Sequence, residues 1–436
     1  MPPTKGAGLP PALRYRTAAG RWVIAAAVLG SGMAAIDATV IGIALPTIGR
    51  DFHASVGTLQ WVVTGYTLTL SSLLLLGGSL GDRFGRKRVF MVGIAWFTVA
   101  SAACAVSSGS GQLVATRMLQ GVGGALLTPG SLAILEASFV AEDRSEAIGA
   151  WSGLGGVATA AGPLLGGYLI AAASWRWIFL INLPVGVLVL LLSVRHVPET
   201  RDPTATGRLD VGGAALATAF LAALAYGLIE GPTRGWNSGA VVAALAAGVT
   251  GALAFALVER RSSAPMLPLG IFSNRQFAVT NAVTFVVYAG LGGVLFLLPV
   301  MLQVVNGYSP LESGIALLPL TAVMLVFSAR SGRLAASLGP RLQMTAGPVV
   351  LGIGLVLLTR APDSSSYVSG VLPAVLVMAA GLATTVAPLT ATALNSAPER
   401  HAGLSSAVNN DVARIGGLIA VAVLPALGGI SGLSYL

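Results

Sequence analysis

Gly78-Ser79-Leu80-Gly81-Asp82-Arg83-Phe84-Gly85-Arg86-Lys87-Arg88 lies between two long apolar runs and carries four basic residues and one acid. Gly78 and Gly85 are seven positions apart with Asp82 between them. Such spacing describes a tight turn joining two membrane helices, because glycine accepts backbone conformations that other residues resist. Basic residues at the end of a membrane helix are ordinary anchoring at the cytoplasmic face. The acid set between spaced glycines points further, to a charge latch at the inner surface.

Composition agrees with a membrane setting. The chain has 436 residues, 55% hydrophobic and 9% charged, with mean hydropathy +0.83. Soluble domains carry about 25% charged residues, so this is the composition of a polytopic membrane protein. The sequence pI of 10.3 would suit a nucleic-acid binder. Nucleic acid is excluded as a partner because the basic residues sit at the ends of apolar runs and form no patch with aromatics. Cys104 is the single cysteine, so no intrachain disulfide forms. His53, His196 and His401 lie far apart and give no metal-ligand spacing.

About 20 apolar residues cross a bilayer. Candidate spans run near 22–46, 58–80, 88–107, 112–135, 147–170 and 176–194, then 211–229 and 239–257, then 278–304, 312–329, 343–359, 368–394 and 402–430. The first follows Lys5, Arg14, Arg16 and Arg21 as a signal peptide would, but it is longer than a typical h-region of about 7–15 residues and contains Asp37. It is read as an uncleaved span. With the N-terminus in the cytoplasm, Lys and Arg fall on the inner side except Arg50, Arg176, Arg234 and Arg360, and except Arg117 and Arg414 within spans. That bias sets the orientation.

An internal repeat divides the chain. Gly332-Arg333-Leu334-Ala335-Ala336-Ser337-Leu338-Gly339-Pro340-Arg341 matches the loop after the second span, with Gly332 on Gly78, Leu334 on Leu80, Gly339 on Gly85 and Arg341 on Lys87. Ala336 stands where the acid would be, which puts a second latch in doubt. Two related halves are a known way to build a transporter. The expected organisation is a cytoplasmic segment at 1–21, a six-helix bundle at 22–194, a linker with two extra membrane helices at 195–260 and a second bundle at 261–436. The second bundle holds five helices, so a final helix is expected to be missing, by truncation or by nature.

Charges inside a bilayer are costly and tend to be functional. Asp37 lies 9 residues before Pro46, roughly 13 Å from the outer end at 1.5 Å per residue. A carboxyl there can load and release a proton; the alternative is a structural hydrogen-bonding Asp at a helix interface. Arg117 sits roughly 8 Å below the outer end by the same rise, within reach of that depth. It stays charged and needs a carboxylate or carbonyls around it, unless it snorkels to the interface. Asp411 and Arg414, three apart in the last span, share a helix face. They read as a self-neutralising buried pair or as a second proton or substrate site.

Gly162-Pro163-Leu164-Leu165-Gly166-Gly167 follows Gly153, Gly155 and Gly156 in the fifth span. Glycines let membrane helices approach closely, and proline bends a helix, which suits a gate. Gly77-Gly78-Ser79-Leu80-Gly81 matches G-x-S-x-G, but at a membrane helix end with no assigned His. Gly121, Gly123 and Gly124 only loosely resemble a dinucleotide fingerprint. Lys5 and Lys87 are the only lysines and neither completes a P-loop, so ATP is not the direct energy source.

These motifs together resemble the 14-helix drug:proton antiporter branch of the major facilitator superfamily. Asp37-Ala38-Thr39-Val40 and Ala44-Leu45-Pro46 are similar to its first-helix motif. Arg117-Met118-Leu119-Gln120-Gly121 resembles its fourth-helix motif, and Gly162-Pro163 through Gly167 its antiporter motif. Trp175 through Pro184 and Gln303 through Tyr308 also match, and the Asp82 loop is similar to its loop between helices 2 and 3. The resemblance implies an all-α fold of two pseudo-symmetric bundles around a central cavity, with alternating access driven by protons. It implies Asp37 as proton carrier, Arg117 as its relay partner, and Gly78, Asp82, Arg83, Gly85 and Arg86 as a cytoplasmic latch. No cofactor is expected beyond the proton gradient, and a monomer in a bacterial cytoplasmic membrane is the expected setting.

The leading expectation is proton-coupled efflux of lipophilic, amphipathic small molecules such as drugs. Proton-driven uptake of a specific solute and a non-transporting sensor are the alternatives, which the direction of gradient-driven flux separates. An enzyme is disfavoured because no catalytic cluster or soluble domain is present. With Asp37 and Asp411 the only deep acids, a divalent cation is a poorer expected substrate than a monovalent cation or a neutral lipophile. The Ala, Gly and Arg bias suggests a high-GC bacterium.

Overall fold

The computed structural model describes residues 13–202, 205, 209–262, 265–359, 366–396 and 402–430. Residues 1–12 of the expected N-terminal segment lie outside them, as do Lys5, Arg208, Arg360 and Arg400 from the charge bias. Thirteen helices among the described residues are long and apolar enough to cross a membrane. They are α1 (Ala18–Phe52), α2 (Val56–Phe84), α3 (Arg86–Ala105), α4 (Ser110–Ser138), α5 (Ala141–Ala172) and α6 (Trp177–His196). Next come α7 (Val211–Arg234) and α8 (Gly239–Arg261), then α9 (Arg275–Val305), α10 (Pro310–Leu338), α11 (Arg341–Leu358), α12 (Val371–Asn395) and α13 (Ala402–Leu427). Each falls on a span read from the sequence. The sole β-type contact among the described residues is a bridge between Leu13 and Phe139.

Lipid offers no hydrogen bonds, so a spanning backbone must satisfy itself, and helices do so within one segment. At several helix starts the unpaired N–H groups are met by side chains. Thr17 Oγ accepts from the Gly20 N–H at 3.1 Å and Ser55 Oγ from the Thr58 N–H at 3.3 Å. Ser309 and Glu312 cap α10 reciprocally. Such caps carry α1 beyond the 22–46 stretch that hydropathy alone marks.

The two repeat loops share their backbone solution. α2 ends at Gly85 with φ 111°, and α10 ends at Gly339 with φ 82°, a region that disfavours side chains. Gly78 faces Pro129 of α4, and its repeat partner Gly332 faces Ala387 of α12, each at 3.7 Å from where a Cβ would stand. The α7–α8 pair lies between the halves in sequence. In space, α7 packs on α2 and α13 through Leu68, Leu221, Ile229 and Leu418, and α8 packs on α7, where Leu245 covers Gly227.

α1–α6 and α9–α13 meet at the end of the molecule where α1 stops. Gln303 Nε2 donates to Ile43 O at 2.9 Å, and Gln60 Nε2 donates to Val421 O at 2.6 Å. A Cβ on Gly42 would lie 2.7 Å from Leu295 O, and one on Gly167 2.6 Å from Pro310 O. Toward the end where α1 begins, Gly149, Gly153, Gly155 and Gly156 of α5 face open space. The halves are sealed at one end and parted at the other.

Candidate functional site

Asp37 and Arg117 are both buried, at 1% and 0% exposure. α1 brings the carboxylate and α4 the guanidinium, and Arg117 Nη1 donates to Asp37 Oδ2 in a direct ion pair. Snorkelling of Arg117 is therefore not seen. Its Nε donates to Val62 O at 3.2 Å, and its Cζ lies 4.2 Å from the centre of the Tyr66 ring. A carboxylate, a carbonyl and an aromatic face together offset much of the cost of burying a permanent cation.

Gln120 completes the cluster, and sequence reading assigned it no role. Its Oε1 accepts from Arg117 Nη1 at 2.6 Å, while its Nε2 donates to Asp37 Oδ1 at 2.8 Å and to Ser101 Oγ at 2.7 Å. Asn182 Nδ2 donates to the same Ser101 Oγ at 3.2 Å. A polar chain thus runs from α6 through α3 and α4 to α1. The signal was present: Gln120 stands three residues after Arg117, on the same helix face.

This network is turned away from the space between the halves. A cavity of about 500 Å³ lies there, lined from α1, α2, α4, α5, α9 and α13. Ala34, Ala38 and Ile41 of α1 line it, but Asp37 and Arg117 do not. One face of α1 therefore serves the cavity and another holds the ion pair.

The Gly162–Gly167 string occupies the sealed end and packs on both halves. A Cβ on Gly162 would strike Thr39 of α1, and one on Gly166 would strike Val40. Gly167 abuts Pro310 and Leu311 of α10, while Gly314 of α10 abuts Pro163 and Leu164. Gly153, Gly155 and Gly156 depart from the expected close approach, because their side of α5 faces the parted end.

In the Asp82 loop, Arg86 Nη2 lies 2.8 Å from Asp82 Oδ1, one helical turn away. Further contacts to the loop come from the segment after α6, which the sequence did not reveal. The Lys87 N–H donates to Glu199 Oε1 at 3.1 Å, the Arg86 N–H to Thr200 O at 2.8 Å, and the Asp202 N–H to Asp82 O at 3.0 Å. Glu199 also lies against Gly85, where a Cβ would approach its Oε1 to 2.5 Å. Gly78 remains one turn up, against α4, and the Arg83 guanidinium stands over the Phe84 ring at 5.5 Å.

Of the two readings of Asp411 and Arg414, the self-neutralising pair is not seen as a direct contact: the ion pairs within 4 Å among the described residues do not include them. Asp411 is 8% exposed and its Oδ1 has no hydrogen-bond partner among the described residues. Arg414 instead lines the central cavity. A three-residue spacing puts two Cβ atoms on one face, but the long Arg side chain reaches the cavity while the short carboxylate stays in the helix packing. Asn409 beside them donates to Asn281 Oδ1 at 3.2 Å and Thr284 Oγ at 2.9 Å on α9.

The sequence matches the Major Facilitator Superfamily profile over residues 27–421. It is 36% identical over 409 residues to the tetracenomycin C resistance and export protein of Streptomyces glaucescens, covering 92% of this chain and 74% of that protein. To the methylenomycin A resistance protein of Bacillus subtilis it is 35% identical over 406 residues, covering 92% of this chain and 86% of that one. The inward-open xylose transporter of E. coli shares the fold, with TM-score 0.64 at 16% identity over 92% of this chain and 88% of its own. With thirteen spanning helices among the described residues, a central cavity and a profile match from α1 to α13, this chain belongs to the Major Facilitator Superfamily and is a multi-pass membrane transporter protein.

Proposed function

We propose that the protein is a secondary active exporter that exchanges protons for amphipathic small molecules across a bacterial cytoplasmic membrane. The observation that carries this reading is the buried Asp37–Arg117–Gln120 cluster, held on a different face of α1 from the one lining the cavity. A proton on Asp37 would cancel its charge and weaken the tie between α1 and α4. The cavity-lining residues of α1 would then be free to shift, so the proton acts on the substrate site through a helix without touching the substrate. A ligand or proton moves a conformational equilibrium only by the difference in its interactions between states. Asp37 has such a difference to offer.

Direction follows from the same geometry. With the N-terminus in the cytoplasm, the parted end faces inward and the sealed end faces outward. Loading from the cytoplasm or inner leaflet, then opening of the α5–α10 seam, would complete export. The Asp82–Arg86 loop, held by Glu199, is the proposed inner latch. The named resistance and export proteins among the relatives support this direction. The chain acts as a monomer in this reading, with α1–α6 and α9–α13 as the rocking units and α7–α8 carried on α2 and α13.

Reconstitution of the full chain in liposomes tests the proposal. An imposed pH gradient should drive fluorescent amphipathic dyes across the membrane, with protons moving the opposite way. A protonophore should abolish that movement. Dye flux that persists unchanged after the gradient is collapsed would contradict it.

A further inference from the structure

We propose that the central cavity is built to take an anionic, aromatic-bearing amphiphile, with Arg414 as the counter-charge. This rests on the reading of the cavity as the transport site and names its substrate class. Among the described residues lining the cavity, Arg414 is the one ionised side chain, and none is a carboxylate. No acid among the described residues lies within ion-pair distance of it, and its Nε is buried without a hydrogen-bond partner. Asp411, one turn away, does not line the cavity.

Other cavity atoms point the same way. Thr64 Oγ and Thr128 Oγ line the space, are buried, and have no hydrogen-bond partner among the described residues. Hydroxyls can donate to an anion's oxygens. Trp151, Tyr288 and Phe296 add ring surface to a lining that is otherwise mostly Ala, Gly, Leu, Val and Ile. A guanidinium is planar, permanently charged and suited to two parallel hydrogen bonds with a carboxylate or a similar oxyanion. A cation kept in a low-dielectric cavity is costly when unpaired, and an anionic ligand removes that cost where a cationic one would raise it. The cavity volume of about 500 Å³ fits a drug-sized molecule. The preference for a monovalent cation or a neutral lipophile over a divalent cation is reasoned from the buried acids; with Asp37 committed to Arg117 and Asp411 out of the cavity, no carboxylate lines the space to hold a cation.

The test uses two dyes with the same xanthene core and opposite charge, fluorescein and rhodamine 123. Binding to the purified full chain in detergent is read by fluorescence anisotropy at pH 8. Fluorescein should bind at least about tenfold more tightly, the scale of hydrogen bonds to a charged group. Arg414→Gln should weaken fluorescein by a similar factor and leave rhodamine 123 unchanged or tighter, while Arg414→Lys should keep part of the preference. Retained rhodamine binding by Arg414→Gln shows that the variant is folded. If that variant binds neither dye, Arg414→Lys decides: a retained fluorescein preference supports the assignment and its loss overturns it. Tighter binding of rhodamine 123 by the wild type, or fluorescein binding indifferent to Arg414→Gln, overturns the inference and leaves the export reading intact. Failure of the wild type to bind either dye counts against both.

Discussion

Asp37 and Asp411 are both buried acids on helices that border the same cavity, yet they live in opposite circumstances. Each oxygen of Asp37 has a donor from α4, and through Gln120 and Ser101 the cluster reaches α3 and α6. Asp411 has a nearby Arg on its own helix and no ion pair with it, and its Oδ1 lacks a partner. Burial alone does not make a coupling site. A carboxyl whose bonds join helices changes the packing when it takes a proton, whereas one with an unpartnered oxygen and no ion pair has less to release. By that measure Asp37, and not Asp411, is the group we propose for coupling.

The comparison breaks most readily on the arginines. Arg117→Ala leaves the Asp37 carboxylate buried without its cation, a loss of about 3–5 kcal/mol in known buried pairs. Arg414→Ala breaks no ion pair among the described residues and removes an unpaired cation, so it should leave stability unchanged or raise it. Thermal unfolding in detergent reads both, and equal losses would show that the Asp37 pair is no stronger a tie than the Asp411 region.

Gln120 sharpens the picture at intermediate size. Gln120→Leu keeps the volume but strands Asp37 Oδ1, Ser101 and one Arg117 donor, so it should lower stability by about 1–3 kcal/mol. Asn409→Leu, beside Asp411, breaks a cluster that holds no charge and should cost less. The same unfolding assay ranks the pair, and the reverse order would remove Gln120 from the coupling cluster.

Glycines test the sealed end against the parted one, and Gly153→Ala carries the smallest expected effect. Gly167→Ala places a Cβ 2.6 Å from Pro310 O and should destabilise this conformation by about 1–3 kcal/mol through overpacking. Gly153→Ala meets open space and should instead stabilise α5 slightly, by about 0.5–1 kcal/mol. Labelling of a cysteine placed near Gly42 should report greater access from the sealed side in Gly167→Ala. Unchanged access would mean that this seam is not the outer gate.

The fold was largely legible because hydropathy acts on whole spans. Thirteen apolar runs became thirteen helices, and the Gly78–Arg88 loop and its repeat ended in the positive-φ glycines that their spacing implied. Depth along a helix was also readable, which is why Asp37 and Arg117 could be matched across eighty residues. Gln120 and Asn182, though inside the quoted motifs, and Ser101 were given no role because neutral polar residues in a span look alike until their neighbours are known. Glu199 escaped because the segment after α6 has no periodicity tying it to the Asp82 loop. Asp411 and Arg414 left two readings open, a self-neutralising pair or a second site, for a different reason. Spacing on a helix fixes where side chains start, and Arg414 is long enough to end in the cavity instead of at its neighbour.

The most direct test sets the two acids side by side in proteoliposomes with an imposed pH gradient. Asp37→Asn keeps the shape of the side chain but cannot exchange the proton. It should lose gradient-driven dye efflux while still binding dye, and Asp411→Asn should retain most of the wild-type flux. Wild-type flux in Asp37→Asn, with loss in Asp411→Asn, would contradict the account and move the coupling site to the second half.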